Sequence, residues 1–297
     1  MFTAGGKEVL DQRISAFYEW LKSKLRFLKS EFSIDYIQAK TIVPTLEIEL
    51  SGDVRVIFPK TYEHLVPKGL CVRLELLAIL DEIDHRDLER RSDSYFIQID
   101  GSGAFNYDSI IPILEKLGHQ NPVVLGVRDP QSSWGMGPGR KEIELFEKFL
   151  LEQKYSEQIT TRLRVTELPD AQAGCWGIHL GRLKELPLTA RKYGLEFDLI
   201  ASALAAGLPI SFVNVTLAAV RTASAFTPRD SLDKMKFIRH KLGYSVDEIV
   251  QLLDEYLRKY AERILSPEYV TSIRDQASRR RISEFDAQVI TMPPRDR

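Results

Sequence analysis

The chain has 297 residues, of which 44% are hydrophobic and 28% are charged, so its length and composition suffice for a sizeable globular core. The 41 Lys and Arg residues and the 42 Asp and Glu residues give a formal net charge of -1, which offers no electrostatic attraction for nucleic acid. Cys71 and Cys175 form neither a disulfide framework nor a zinc-binding spacing, and the first residues lack the apolar run of a signal peptide. We therefore expect a protein of the cytoplasm.

Two helices and three short strands are predicted in the N-terminal third of the chain. Hydrophobic residues at helical spacing predict the helices, and β-rich runs between turn residues predict the strands. In chain order, these are a helix over 9–29, strands over 33–38, 45–50 and 54–58, and a helix over 68–83.

Strands and helices alternate through the central part. We predict a strand over 95–99, a helix over 107–117, a strand over 123–127, an irregular loop over 129–140 and a helix over 141–151. The loop has three glycines and two prolines, a composition that functional lids share with ordinary surface loops. Residues 199–220 carry no charge and are long enough to span a bilayer, but Gly207, Leu208 and Pro209 interrupt them. A buried helix, a tight turn and a buried strand explain this stretch better.

This alternation favours an α/β fold in which helices flank a mostly parallel sheet. From about residue 231, hydrophobic residues at helical spacing alternate with charged ones, which predicts a helical C-terminal extension. We expect one α/β domain over 1–230, the helical extension over 231–278, and a mobile tail over 279–297. The helices of the extension offer a surface for a protein partner or for self-association.

An acid and a glycine-rich turn follow the strand over 95–99. Asp100 comes directly after the strand and precedes Gly101, Ser102 and Gly103. Ligands of open α/β sheets bind beyond the carboxyl ends of the strands, and a glycine there lets the backbone approach closely. Asp100 is therefore a candidate ligand-binding residue, although an acid before such a turn also simply terminates a strand.

Seven segments follow one another in a characteristic order: Asp53–Ile57, Lys68–Leu70, Tyr95–Ser102 (a strand that leads to Asp-Gly-Ser), Val123–Arg128 (Gly-x-Arg), Asp170–Gly177 (Asp-x-Gln-x-Gly), Glu196–Asp198 (Glu-Phe-Asp) and Gly207–Ile210. Together they resemble the GT-A-fold inverting glycosyltransferases, the family that includes the dolichyl-phosphate mannose synthases, in which the third segment ends in Asp-x-Asp. The resemblance covers roughly residues 53–225. It implies a GT-A-like, Rossmann-like fold and transfer of a hexose from a nucleotide-sugar to an acceptor hydroxyl or lipid phosphate, with inversion.

The resemblance also implies a role for each matching residue. Asp170 would be the general base, and Asp100 would hold a divalent cation (Mg or Mn) or the diphosphate of a UDP- or GDP-hexose. Ser102, Lys68, Arg128 and Arg140 would lie near the diphosphate, since guanidinium groups pair bidentately with phosphate oxygens. The acceptor side would contain Gln172, Gly174, Trp176, Glu196, Asp198 and Arg221.

Plainer structural interpretations of the same residues stay open. Asp170 could belong to a turn or cap a helix, and Arg221 could be a solvated charge. Glu196 and Asp198 could complement the dipole of the helix that they begin.

The chain departs from the family pattern in two places. Ser102 stands where the family has its second acid, and a neutral hydroxyl is a weaker ligand for a divalent cation than a carboxylate. The N-terminal region lacks the family motifs that contact the base and the ribose of the nucleotide. These departures favour a second hypothesis, a catalytically degenerate member that acts as a binding or assembly module. A third is an unrelated α/β domain.

Without a spanning helix, a lipid-phosphate acceptor would be reached at the membrane surface.

Overall fold

The computed structural model describes most of the chain from residue 94 to residue 260 and short parts of the region before it. The described residues are 15–17, 19–24, 26–27, 30–31, 37–40, 48–49, 54–57, 76, 94–100, 105–128, 138–170, 173–190, 194–217 and 228–260. The predicted tail over 279–297 lies outside them. Within the described residues, the chain forms two β-sheets, six helices that we label, and short helical turns.

The first sheet contains three short strands in the order β1-β3-β2. They are β1 (Ile37–Lys40), β2 (Ile48–Glu49) and β3 (Val54–Ile57). β1 pairs with β3 in parallel and β2 pairs with β3 antiparallel. The predicted strands over 45–50 and 54–58 are confirmed, whereas the described part of the first strand runs to Lys40, two residues beyond its predicted end.

The second sheet carries the candidate site and has the order β4-β6-β5-β7. Its strands are β4 (Tyr95–Ile99), β5 (Val123–Arg128), β6 (Cys175–His179) and β7 (Ile210–Val215). β5 and β7 are parallel, and β6 runs antiparallel to both β4 and β5. Three of the four strands therefore point in one direction, and their carboxyl ends meet the start of β6 at one edge, which we name the carboxyl edge. The opposite edge is named the amino edge.

Six helices accompany the sheets. They are α1 (the helical residues described between 15 and 31, namely 15–17, 19–24, 26–27 and 30–31), α2 (Ile110–Lys116, preceded by a 3₁₀ turn over Tyr107–Ser109), α3 (Pro138–Lys154), α4 (Leu195–Ala206), α5 (Pro228–Leu242) and α6 (Val246–Lys259). α3 begins three residues earlier than predicted, because the fixed φ of Pro138 suits the first position of a helix. Of the helix predicted over 68–83, the structure describes Leu76, which is helical and buried.

The uncharged stretch forms a helix, a turn and a strand, as predicted. Ten of the twelve residues of α4 are buried, and β7 follows after three residues. Gly207 has a φ of +68°, a conformation that a glycine adopts without strain, and it ends α4. Among the described residues, no helix is long and apolar enough to cross a membrane.

The described helices of the C-terminal extension share the main hydrophobic core. Ile238 and Leu242 of α5 and Tyr256 of α6 belong to the same buried cluster as Phe146 and Leu150 of α3. Polar contacts hold the same interface: Lys234 Nζ lies 2.9 Å from Glu147 Oε2, and the Tyr256 hydroxyl donates to Glu142 Oε2 at 2.8 Å. α5 and α6 are therefore integrated with α3 by both apolar and charged contacts.

Candidate functional site at the carboxyl edge of the sheet

Asp100 and Gly174 meet where β4 ends and β6 begins. The Asp100 N–H donates to the Gly174 carbonyl at 2.8 Å, which continues the ladder of these two strands by one residue. A Cβ atom built on Gly174 would overlap the Asp100 carboxylate. Because only glycine leaves this space, residue 174 determines where the Asp100 carboxylate lies.

The Asp100 carboxylate also acts on the buried thiol of Cys175. Burial raises the pKa of Cys175 from its ordinary value of 9.0 to about 12, and the negative charge of Asp100 adds to the shift. The thiol is therefore neutral at physiological pH and behaves as a small hydrophobic group rather than as a nucleophile.

A buried cluster of three charged side chains lies at the end of β5. We name Arg128, Glu144 and Asp170 the Arg128 cluster. Arg128 donates from Nε to Asp170 Oδ2 at 2.7 Å and from Nη2 to Asp170 Oδ1 at 2.9 Å. Its Nη2 also donates to Glu144 Oε2 at 3.1 Å, and its backbone N–H donates to Asp170 Oδ2 at 3.2 Å. The cluster thus ties the end of β5 to α3 and to the segment that leads into β6.

The two carboxylates of the Arg128 cluster raise the pKa of Arg128. Burial lowers the pKa of Arg128, but the hydrogen bonds and charges of Asp170 and Glu144 outweigh it, so the pKa lies above its ordinary value. Each of the three side chains is 8% exposed or less. One guanidinium contacts two carboxylates, so its positive charge is already engaged within the cluster.

The contact between Arg128 and Asp170 must change before either residue can take its predicted role. Arg128 was expected to contact the diphosphate, and its guanidinium holds two carboxylates. Asp170 was expected to act as the base, and both of its oxygens accept hydrogen bonds from Arg128. A catalytic role for either residue therefore requires an exchange of partners.

The sequence reasoning missed Glu144. It is one of several glutamates on α3, together with Glu142 and Glu147, and no motif separates it from them. Its significance comes from a tertiary contact with Arg128, 16 residues earlier in the chain.

Trp176 lies in the hydrophobic core. Its side chain is fully buried, and its ring packs against Phe96 at a centroid distance of 5.5 Å. This placement differs from the acceptor contact that the resemblance implies, because a side chain without exposed surface cannot reach a bound acceptor.

Asp198 makes contacts that fix a loop and a helix. Its carboxylate accepts from the backbone N–H groups of Thr189 and Ala190, the latter at 2.6 Å, and lies 2.6 Å from Lys241 Nζ on α5. Glu196 is also buried in the first turn of α4. The contacts of Asp198 are those of a structural anchor, which differs from the acceptor-side role that was expected for it.

Several predicted site residues cannot be placed. Ser102, Lys68, Gln172 and Arg221 lie outside the described residues. Arg140 belongs to the first turn of α3, within the stretch predicted to be an irregular loop, and its side chain also lies outside the description.

The donor set at the carboxyl edge does not fit a divalent cation held by the protein alone. Among the described residues, no group of three or more His, Cys, Asp or Glu side chains could hold a metal ion. Asp100 supplies one carboxylate, and hard cations such as Mg²⁺ and Mn²⁺ require several oxygen ligands.

Comparisons with known proteins found similar structures and no sequence family. No family model matches the chain, and no curated protein matches it. One similar structure is glucosyl-3-phosphoglycerate synthase from Mycobacterium tuberculosis with Mn²⁺, UDP and glucosyl-3-phosphoglycerate, at 17% identity over 65% of this chain and a TM-score of 0.42. This chain spans 62% of the length of that protein. The same enzyme with Mn²⁺, UDP and phosphoglyceric acid aligns at 13% identity over 73% of this chain and 82% of that one, with a TM-score of 0.48.

These superpositions all have TM-scores below 0.5, so the assignment of a function rests on the residues of this chain. The two matched structures are glucosyl-3-phosphoglycerate synthases, and the resemblance to dolichyl-phosphate mannose synthases stays a prediction from the sequence motifs.

Proposed function

We propose that the chain is a GT-A-type glycosyltransferase that moves a hexose from a UDP- or GDP-sugar to an acceptor hydroxyl, with inversion. One observation carries the proposal: three segments far apart in the sequence, each matching a glycosyltransferase motif, meet at the carboxyl edge. They contribute Asp100, Arg128, and Asp170 with Gly174. The carboxyl edge is where open α/β sheets bind their ligands.

In this proposal the Asp100 carboxylate accepts hydrogen bonds from hydroxyl groups of the donor, since it would repel the diphosphate itself. Asp170 faces the acceptor. The acceptor oxygen attacks the anomeric carbon from the face opposite the diphosphate, and the bond between that carbon and the diphosphate oxygen breaks. The nucleoside diphosphate leaves with the bonding electrons, and Asp170 takes the hydroxyl proton as general base. The described residues offer no metal site, so each of these steps uses the chain's own side chains.

Arg128 must release Asp170 for this proton transfer. The guanidinium already contacts Glu144, 3.1 Å from Nη2, so it retains a carboxylate partner when Asp170 turns to the acceptor. We propose that Glu144 positions Arg128 during this exchange. Glu144→Gln should then lower kcat more than it raises KM for the donor, while Glu142→Gln on the same helix should change neither.

A second candidate function is binding without transfer, and one specific observation favours it. Both oxygens of Asp170 are engaged by Arg128, an arrangement that also suits a purely structural ion pair. The chain would then bind a nucleotide-sugar at the carboxyl edge or serve as an assembly module.

Thermal unfolding with UDP, GDP and their hexose conjugates, each with and without Mn²⁺, tests donor binding. A ligand at about 100 times its Kd should add about 2.7 kcal/mol to the free energy of unfolding, a shift of a few degrees. Asp100→Asn should reduce the shift, and the exposed Glu115→Gln on α2 is the matched control. The absence of a shift with every nucleotide would contradict the donor site. A shift that Mn²⁺ enlarges, and that Ser102→Asp enlarges further, would place a cation beside Asp100.

Release of the nucleoside diphosphate from a bound donor separates the two functions. Asp170→Asn should abolish release while preserving the thermal shift, because it removes the base and leaves Asp100 in place. If the donor binds to the wild-type chain and neither water nor any acceptor offered releases the diphosphate, the binding function replaces the transfer function.

A further inference from the structure

Helix α6 presents an apolar row to solvent. Val246, Val250, Leu253 and Leu257 remain 61%, 52%, 38% and 43% exposed. Their spacing of four, three and four residues places them along one side of the helix, as in the seam of a two-helix coiled coil. We name these four residues the α6 stripe.

A different side of α6 attaches the helix to the core. Tyr256 is buried, stacks edge-on against Phe146 and Phe149, and donates its hydroxyl hydrogen bond to Glu142. Ile249 and Leu252 pack against the same cluster. Ser245 and Glu248 form a capping box that fixes the first turn of the helix. These contacts attach α6 to the core through residues outside the α6 stripe.

Acidic residues border the α6 stripe on its solvent side. At 100° per residue, the exposed side chains of Asp254 and Asp247 project from α6 beside Val250 and Val246. The basic Arg258 lies about 20° farther around the helix than Asp247. Charges beside an apolar seam select the partner helix and its orientation. The partner that complements this surface therefore carries Lys or Arg beside its own apolar row.

We propose that the α6 stripe is the docking surface for a basic amphipathic helix of a protein partner. The row from Val246 to Leu257 spans about 16 Å, which is roughly three helical turns. A partner helix of about 14 residues with apolar side chains at matching spacing would cover it. This interaction is independent of the proposed transfer reaction.

Two other occupants fit the surface less well. In an antiparallel pair of two copies, Asp254 of one helix would approach Asp247 of the other, and only the single Arg258 on each border would offset this repulsion. An anionic membrane surface would be repelled by the same borders, whereas membrane-binding helices carry Lys and Arg beside their apolar face.

Binding of two synthetic helical peptides to the full chain tests the proposal. Both carry leucines at positions i, i+4, i+7 and i+11, and their flanking residues are lysines in one peptide and glutamates in the other. The wild-type chain should bind the lysine peptide at least about tenfold more tightly than the glutamate peptide, measured by fluorescence anisotropy. The double variant Asp247→Lys/Asp254→Lys should reverse this preference. Glu255→Lys, an exposed reversal on the far side of α6, should keep it.

A second pair of variants tests the apolar contribution. Val250→Ser/Leu253→Ser should abolish binding of the lysine peptide, while Leu232→Ser, at an exposed leucine of α5, should leave it unchanged. Equal affinity for both peptides, or no binding of the lysine peptide, would overturn the proposal. So would a concentration-dependent dimer that Val250→Ser/Leu253→Ser abolishes, or preferential binding to phosphatidylserine vesicles. The sugar-nucleotide thermal shift should be the same in all these variants, which separates this result from the proposed function.

Discussion

The two edges of the second sheet are built with different chemistry. At the amino edge, several of the described contacts join neutral groups: the Ser211 hydroxyl donates to Asn121 Oδ1 at 2.7 Å, and Gly118 and Asn121 bond to each other through their backbones. The ion pair that follows β6 there, Arg182 with Glu185, is exposed. His179 Nδ1 accepts from the Gly181 N–H at 3.1 Å. At the carboxyl edge, the charged side chains of the Arg128 cluster are buried, and Asp100 is half-buried.

This difference supports our proposal that ligands bind at the carboxyl edge. Turns and caps can be completed by neutral hydrogen bonds at small cost, as the amino edge demonstrates. Removing charges from water is costly, and a buried ion pair is weak evidence for a gain in stability. Buried charges with shifted pKa values, such as Arg128, concentrate at functional sites. The carboxyl edge is therefore the edge at which we place ligand binding.

Arg128→Met should be the most damaging single change at either edge. It leaves the carboxylates of Asp170 and Glu144 buried without their guanidinium partner, which should cost about 3–5 kcal/mol in the free energy of unfolding. Urea denaturation measures this cost. Adding Asp170→Asn and Glu144→Gln to Arg128→Met should restore most of the loss, and a triple variant as unstable as the single one would contradict the electrostatic explanation.

Two glycines test how closely the edges are packed. A Cβ on Gly126 in β5 would lie 2.7 Å from the Cys175 carbonyl oxygen and 2.7 Å from a Val215 methyl group, whereas a Cβ on Gly118 would meet nothing within 4 Å. We expect Gly126→Ala to cost about 1–3 kcal/mol in urea denaturation and Gly118→Ala to stay within about 0.5 kcal/mol. Equal effects would show that the two edges do not differ in packing.

The pH dependence of stability should report the buried thiol of Cys175. The unfolded thiol ionises above its ordinary pKa of 9.0, while the folded thiol stays protonated up to about 12. Between these values the unfolded state binds fewer protons, so stability falls as the pH rises, by at most about 1.4 kcal/mol per pH unit. Cys175→Ala should lack this slope when both proteins are denatured between about pH 8 and about pH 10.5. Parallel slopes would contradict the raised pKa.

Ser211→Ala should have a much smaller effect than Arg128→Met. It removes one neutral hydrogen bond to Asn121 at a partly buried position, which is worth about 1 kcal/mol. The difference in stability between Ser211→Ala and the wild type should also be the same at every pH, because the lost hydrogen bond joins two neutral groups. If Ser211→Ala lost as much unfolding free energy as Arg128→Met, the neutral contacts of the amino edge would matter as much to stability as the charged contacts of the carboxyl edge.

The elements that the sequence predicted well are those with strong local boundaries. β4 has the predicted bounds because an apolar run ends at an acid and a glycine-rich turn, and α4 and β7 are separated by Gly207 and Pro209. β6 was missed because its five residues are buried on both faces and show no alternation. A segment interpreted as an acceptor-binding motif therefore begins an antiparallel strand.

The position of the candidate site stays a prediction, while the structure shows side-chain pairings that the sequence did not predict. The rule that ligands lie beyond strand ends selected Asp100, and the Gly-x-Arg resemblance selected Arg128. The contact of Arg128 with Glu144 depends on how α3 packs, and no local pattern encodes that packing. Trp176 and Asp198 were assigned to an acceptor side by motif, whereas their surroundings place them in the core and in a buried anchor.

Titration calorimetry of UDP-glucose and GDP-mannose against the wild type, Gly174→Ala and Gly118→Ala tests the assignment of the donor site most directly. The methyl group of Gly174→Ala would occupy the space of the Asp100 carboxylate, whereas that of Gly118→Ala would enter open space. We predict that the wild type and Gly118→Ala bind one of the two donors with the same affinity and that Gly174→Ala binds it at least about tenfold more weakly. Equal affinity in all three proteins, or no binding of either donor to the wild type, would contradict a donor site at the carboxyl edge.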